Sequence, residues 1–281
     1  MNVSEQIKKE VFVGVPSLSR PEYITKKTMK WLKDAGFDYR IFVEPQERFL
    51  YKQYNGNCVQ TLEKSGQGLM YSLNSIRDYA RKHGYKYLFQ LDDDVDGFER
   101  VNTSDPVQAF AETVIDCYEA MKEFEKIGGI RFTQYRYWLY SKKNMHKWTH
   151  INKPLQGICM IRLDAVPHID DELKEYTDTI TSLNIWAKGY VTLNYGLSGL
   201  RVVQNANKGG CQTHDRRNEG IETIERLKQT FPLVQEKEGS SWFGVDVDIT
   251  AYTEKYGYMC INSDDKNLHN ILQMSKFANE T

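Results

Sequence analysis

Short apolar runs alternate with amphipathic stretches over the first ninety residues. Val11-Phe12-Val13-Gly14-Val15 stops at Pro16-Ser17, the pattern of a buried strand entering a loop. Residues 21–35 open with proline, carry helix formers and close at Gly36, which predicts a helix with Pro in its first turn and Gly just past its end. Residues 39–45 read as the next strand. Leu69, Leu73, Ile76 and Ala80 recur at helical spacing and predict an amphipathic helix over 69–83, ended by His83-Gly84. Residues 85–91 form another apolar run. Strand, helix, strand, helix, strand predicts right-handed βαβ units and a largely parallel sheet.

The second half is more varied. Ser104-Asp105-Pro106 caps a helix expected over about 107–127, with Gly128-Gly129 as its stop. Residues 130–135, 157–163 and 200–205 read as strands. Leu173, Tyr176, Ile180, Leu183 and Ala187 share one face of a helix expected over 172–187, and 218–231 reads as a helix with a charged face. No repeat, low-complexity tract or linker interrupts the chain, so a single α/β domain is expected.

Composition narrows the function classes. Of 281 residues, 40% are hydrophobic and 27% charged, as in an ordinary globular protein. The formal net charge of −1 means that any nucleic-acid contact has to come from a local basic patch. Cys58, Cys117, Cys159, Cys211 and Cys260 are far apart with no CxxC pair, which removes zinc-ribbon and thioredoxin-like readings. The apolar run at 11–15 is too short for a signal peptide, and no window nears the ~20 apolar residues of a membrane span. The expectation is a reduced, cytoplasmic protein without a membrane segment.

The chemistry concentrates where Tyr87-Leu88-Phe89-Gln90-Leu91 runs into Asp92-Asp93-Asp94, followed by Asp96-Gly97. Packed carboxylates repel, and none is buried cheaply without a partner. Acids at alternate positions of a strand-end turn suit a hard cation such as Mg²⁺ or Mn²⁺, which leaves coordination sites open for phosphate oxygens. A solvated acidic turn is the plainer alternative. Pro16, Ser17 and Arg20 follow the first strand and Glu44 the second, and open α/β sheets bind ligands outside the carboxyl ends of their strands.

An apolar strand ending in DxD resembles the GT-A fold glycosyltransferases, and the likeness continues in order over roughly residues 10–215. "VGVPSLSR" takes the place of the base-packing loop, Glu44 that of the acid that bonds uracil, and "GQGLMYSLNSIRDYA" supplies Gly66, Gly68 and Asn74, with Leu73 where an Arg is often found. Thr177-Asp178 precedes Gly189 at the spacing of the family's acidic pair; the Glu is replaced by Thr, so only Asp178 carries over. "KGGCQTHDRRN" offers His214 as a late metal ligand. The resemblance implies a Rossmann-like, mostly parallel sheet, with 10–100 as the nucleotide-sugar half, 101–217 as the acceptor half and 218–281 as an extension. It implies a UDP-sugar donor held by Pro16, Ser17, Arg20, Glu44, Gly68, Asn74 and Asp92, and Mn²⁺ or Mg²⁺ held by Asp92, Asp94 and His214. Asp178 is implied as the acceptor's base if the enzyme inverts, or as an orienting group if it retains. Asp93, pointing the other way, is expected to matter least for metal. "YLFQLDDDVDGF" and the His214-Asp215-Arg216-Arg217-Asn218 stretch look like the TET-associated glycosyltransferases of phages and kinetoplastids, which glycosylate hydroxymethylated pyrimidines in DNA.

The acceptor has a signal of its own. Residues 131–150 carry Arg131, Arg136, Lys142, Lys143 and Lys147 with no acid, interleaved with Tyr135, Tyr137, Trp138, Tyr140 and Trp148. Cations of this kind neutralise phosphate and aromatic faces stack on bases. A core filled by the aromatics, with the lysines merely solvated, is the competing reading. Arg216 and Arg217 suit DNA phosphate, donor diphosphate or a plain surface loop. A sugar-nucleotidyltransferase lacks support because "GVPSLSRP" has no G-x-G-T-R loop. A polysaccharide or other small acceptor, and a non-catalytic nucleic-acid-binding module, stay open.

Overall fold

The computed structural model describes residues 3–134, 148–202, 216–238 and 245–251. Alternation along the strands sets the layers. In β1 (Val11–Pro16), Val11, Val13 and Val15 join one buried cluster while Phe12 joins another. β2 (Asp38–Val43) and β4 (Tyr87–Gln90) repeat this, with Ile41, Val43, Tyr87 and Phe89 on the first side and Phe42 and Leu88 on the second. Strands buried on both faces read as continuous apolar runs, which is why these three were legible.

The first face is covered by α1 (Glu5–Glu10), α2 (Pro21–Lys26), α3 (Thr28–Leu32) and α6 (Pro106–Glu123), through residues such as Ile7, Ile24, Trp31 and Phe110. α4 (Arg48–Asn55) adds Tyr51 to that cluster. The second face is covered by α5 (Gly68–Lys82) and α7 (Thr177–Ala187), with Met70, Leu73, Ile76, Ile180, Leu183 and Trp186 buried. α8 (Arg216–Thr230) adds Leu227. α5 lies so close to β1 that a Cβ on Gly14 would sit 2.3 Å from Ile76 Cγ2.

The remaining strands are β3 (Val59–Thr61), β5 (Val95–Arg100), β6 (Ile127–Gln134), β7 (Trp148–Ile151), β8 (Cys159–Arg162) and β9 (Val191–Val202). The sheet runs β3-β2-β1-β4-β8-β6-β9-β5, with β7 paired to β9. It is parallel through β3-β2-β1-β4 and between β6 and β9. The β4-β8, β8-β6, β9-β5 and β9-β7 pairs are antiparallel. β10 (Gln235–Glu238) and β11 (Val245–Asp248) form a separate antiparallel pair. The α/β class expected from the sequence is therefore the fold observed. No helix among the described residues is long and apolar enough to cross a membrane.

Four local expectations are corrected. The helix expected over 21–35 breaks at Lys27, where φ −110° and ψ −105° separate α2 from α3. Gly128 and Gly129 do not stop a helix; α6 ends at Glu123 and the glycines lie in β6. A Cβ on Gly128 would come within 2.7 Å of Ile185 and Tyr190, so glycine serves the close packing of α7 on the sheet. The helix expected from 172 begins at Thr177, because Tyr176 sits at φ 56° in the left-handed region. The strand expected over 200–205 is the end of β9, which begins at Val191. α4, β3 and β5 were not anticipated.

Candidate active site

Three parallel strands end side by side, and their following loops make one wall. β1 delivers Pro16, Ser17, Leu18 and Arg20, β2 delivers Glu44, and β4 delivers Asp92, Asp93 and Asp94. A cleft of about 390 Å³ opens above them. Its other sides come from Gly66, Gly68 and Ser72 at the start of α5, from Gly157, and from Lys174, Glu175 and Glu219.

The acidic turn is held by residues far away in sequence. Thr28 Oγ1 donates to the Asp92 carbonyl at 2.7 Å and accepts from Val95 N at 3.1 Å, and Trp31 Nε1 donates to the Val95 carbonyl at 3.1 Å. The break at Lys27 lets Thr28 begin a new helix beside this turn. Asp93 accepts from Ser17 Oγ at 2.6 Å and from Arg20 Nη1 at 2.8 Å. The Tyr51 hydroxyl completes the arrangement, 2.7 Å from Ser17 Oγ and accepting from Arg20 N at 2.9 Å. Asp94 Oδ2 lies 3.7 Å from the same Arg20 nitrogen. Lys27 pairs with Asp96.

Neutralisation is therefore unequal. Asp93 has a hydrogen-bonded cation, whereas Asp94 has only a distant share of it. Burial pushes the Asp92 carboxyl up to about 7, the charges of Asp94, Asp93 and Asp178 push the same way, and Arg20 opposes them. Burial also raises Asp94, helped by Asp93 and resisted by Arg20. A carboxylate held against its neighbours in this way gains from an added cation.

Asp178 is not among the residues that line the cleft, but its charge acts on Asp92. A Cβ on Gly157 would lie 3.1 Å from Asp92 Oδ2, so glycine leaves this carboxylate its room. Gln90 Nε2 fixes the Gly157 carbonyl at 2.6 Å. Leu155 N donates to Ser182 Oγ at 2.8 Å, and Ser182 Oγ donates to the Asp178 carbonyl at 2.8 Å. The first turn of α7 is thus tied to the segment that flanks Asp92. Asp178 Oδ1 accepts from Thr179 N at 2.8 Å, and its charge reaches both Asp92 and Arg131.

Pro16, Ser17, Arg20, Glu44, Gly68, Asp92 and Asp94, all picked from the sequence, line the one cleft. Glu44 also accepts from Gly66 N at 2.7 Å and from Gln46, so it anchors the glycine loop. Asn74 is placed differently from its expected position. It is buried at 2% exposure and does not line the cleft; its amide donates to the Ile169 carbonyl at 2.6 Å and to Asp171 at 2.7 Å. Arg131 faces inward, with Nη1 donating to the Pro154 carbonyl at 2.7 Å, so it is no surface phosphate contact. Trp148 packs edge-on against Tyr195, ring centroids 5.4 Å apart. Arg136, Tyr137, Trp138, Lys142, Lys143, Lys147 and His214 lie outside the described residues, and Arg216 and Arg217 begin α8. Sequence reading missed Lys174 and Glu219, whose ion pair at 3.2 Å joins two sides of the cleft. A lone Lys or Glu in a polar stretch carries no signal of that kind.

The carboxylates of Asp92 and Asp94 are the hard oxygen donors that Mg²⁺ and Mn²⁺ take, and the charge crowded around them fits such an ion. Among the described residues no group of three or more His, Cys, Asp or Glu is placed to hold a metal ion.

The model of the TET-associated glycosyltransferase family matches residues 11–210. No curated protein matches the sequence significantly. Among solved structures, a fragment of TarS from S. aureus is similar at 11% identity with a TM-score of 0.50, covering 96% of this chain and 80% of that one. GalNAc-T7 with UDP, GalNAc and Mn²⁺ is similar at 13% identity with a TM-score of 0.46, covering 77% of this chain and 47% of that one. The likeness to TarS shows the fold, which is of GT-A type.

Proposed function

This chain belongs to the TET-associated glycosyltransferase family, and on that footing we propose that it moves a sugar from a UDP-sugar to a hydroxymethylated pyrimidine of phage DNA, one already carrying a sugar included. The observation that carries the reading is the acidic turn at the floor of the cleft, where Arg20 is hydrogen-bonded to Asp93, reaches Asp94 only at 3.7 Å and forms no ion pair with Asp92 among the described residues. A nucleotide diphosphate brings its own negative charge to that place, and acids at such a floor make sense when a cation lies between the two.

In this reading Pro16, Ser17, Leu18 and Glu44 surround the nucleoside. Asp92 and Asp94 hold Mn²⁺ or Mg²⁺, with His214 as the further ligand that the family resemblance implies. The bound ion supplies neutralisation of the diphosphate leaving group. Arg20 favours the charged form of Asp93 against the burial that raises its carboxyl, and holds the turn in place. Gly157 leaves space beside Asp92 for the donor. Asp178, whose charge acts on Asp92, takes the proton of the acceptor hydroxyl if the anomeric centre inverts, and orients that hydroxyl if it is retained. Support for a DNA acceptor comes from the family and from the cations and aromatics of residues 135–147.

The test is direct. Hydroxymethylcytosine DNA is incubated with a panel of UDP-sugars and Mn²⁺, and the nucleosides are weighed by mass spectrometry. One sugar adduct is expected, lost with EDTA and with Asp94→Ala. Unchanged turnover in Asp94→Ala overturns the metal assignment. UDP release without any DNA adduct overturns the acceptor.

A further inference from the structure

α4 turns an unusual face to solvent. Phe49 is 76% exposed, and Leu50 and Tyr54 are 46% exposed each. These are three of the five large hydrophobic side chains that stand so far out among the described residues, and all three sit on one eight-residue helix. Its inner side is fixed. Tyr51 is buried on Ser17 and Arg20 of the cleft wall, and one turn later Asn55 Nδ2 donates to the Pro21 carbonyl at 3.4 Å. The outward apolar groups are therefore not core residues awaiting burial within this helix pair.

The charges on the helix itself are cationic, while Glu47 just before it is held by Ser19 N and Oγ. Arg48 and Lys52 are exposed on the same helix, and no Asp or Glu occurs from residue 48 to 62. Lys26 of α2 is near enough to Tyr54 for the phenol to affect its ammonium. Lys26 pairs with Glu22, but both side chains are more than half exposed, and such a pair is readily exchanged for another anion. In a protein of net charge −1 this is a local cationic-aromatic surface.

We propose that α4 is a duplex-DNA contact beside the donor cleft, in which Arg48, Lys52 and Lys26 meet phosphates while Phe49 and Tyr54 lie against the sugar edge or an unstacked base. The inference rests on the reading of DNA as acceptor and adds a surface to it. Charge complementarity favours a polyanion over a neutral partner. Size argues against a second copy of this chain. A helix of eight residues is about 12 Å long and about 10 Å wide, far below the roughly 800 Å² per partner of a stable protein interface. A long polyanion held at several points can use so small a patch. An enzyme acting on a base must also take it out of the stack, and aromatic groups beside the site serve that step.

The experiment uses the full chain, a fluorescent duplex containing hydroxymethylcytosine, and anisotropy at several salt concentrations. Arg48→Glu/Lys52→Glu is expected to weaken DNA binding by about tenfold or more and to lower the salt slope by about 2. Phe49→Ala/Tyr54→Ala is expected to weaken binding with the salt slope unchanged. Both variants are expected to keep the wild-type melting temperature and its rise with UDP and Mn²⁺, which shows that they fold. Wild-type DNA affinity in both variants overturns the proposal while leaving the acceptor reading intact. No DNA binding by the wild type overturns that reading and the proposal with it. A dimer or a vesicle-bound state that is lost in the variants, with DNA affinity unchanged, assigns the face to another partner and overturns the proposal.

Discussion

Arg20 Nη1 lies 2.8 Å from Asp93 Oδ1, with the two side chains only 11% and 6% exposed. This pair joins the loop after the first strand to the turn after the fourth. Removing the guanidinium leaves a buried carboxylate without its cation. Breaking a buried pair from one side typically costs about 3–5 kcal/mol. Arg20→Ala is expected to lose stability of that order in urea unfolding, and Arg20→Ala/Asp93→Asn to recover part of it. Strictly additive single and double variants would falsify the coupling.

Asp92 sets a pH dependence. Its carboxyl is raised to about 7 in the folded chain, against about 4 in an unfolded one. The folded state therefore holds the proton more tightly between those values. The stability this contributes is present in full below about pH 4 and is lost as pH rises through about 7. Burial raises Asp93 and Asp94 as well, so they act in the same direction. Without divalent cation, the melting temperature is expected to fall between pH 5 and 8. Asp92→Asn should flatten that fall and be the more stable protein at pH 8. A variant profile as steep as the wild type's removes Asp92 as its source.

Thr28 is fully buried and serves the acidic turn with both its donor and its acceptor. Thr28→Val keeps the shape and strands the Asp92 carbonyl and the Val95 amide, at a cost of about 1–3 kcal/mol for each buried group left unpaired. Hydrogen exchange at Val95 N–H is the local readout and is expected to speed up before the rest of the sheet does. Protection equal to the wild type's means another partner replaces the hydroxyl.

Gly14 has no room for a methyl group, because Ile76 Cγ2 occupies its place. Overpacking of this kind costs about 1–3 kcal/mol. Gly14→Ala is expected to unfold at lower urea, and combining it with Ile76→Ala should cost less than the sum of the two. A neutral Gly14→Ala means that α5 can shift away from β1 freely.

The fold and much of the cleft wall could be read from the chain. Glu44 and Asp92–Asp94 were found because each follows an apolar run that predicts a strand, and strand ends of a parallel sheet share one side. Asn74 shows the limit. Its place on the amphipathic helix was right, but its amide bonds to residues 169–171, almost a hundred positions away, and no periodicity reports that. Gly128-Gly129 failed in the same way, since glycine that allows close packing looks identical in sequence to glycine that ends a helix.

Pattern by itself determined the layers, because a strand's alternation and a helix's 3.6-residue turn are properties of the local backbone. It also determined that three acids meet the end of a buried strand. Only the tertiary structure decided which of the three is neutralised. Asp93 meets Arg20 across 73 positions, Thr28 grips the Asp92 carbonyl across 64, and Lys174 reaches Glu219 across 45. A charged or polar group takes its partner from whatever the packed core brings within hydrogen-bond reach, and that is fixed by chain topology, since side-chain chemistry near the group in sequence does not record it.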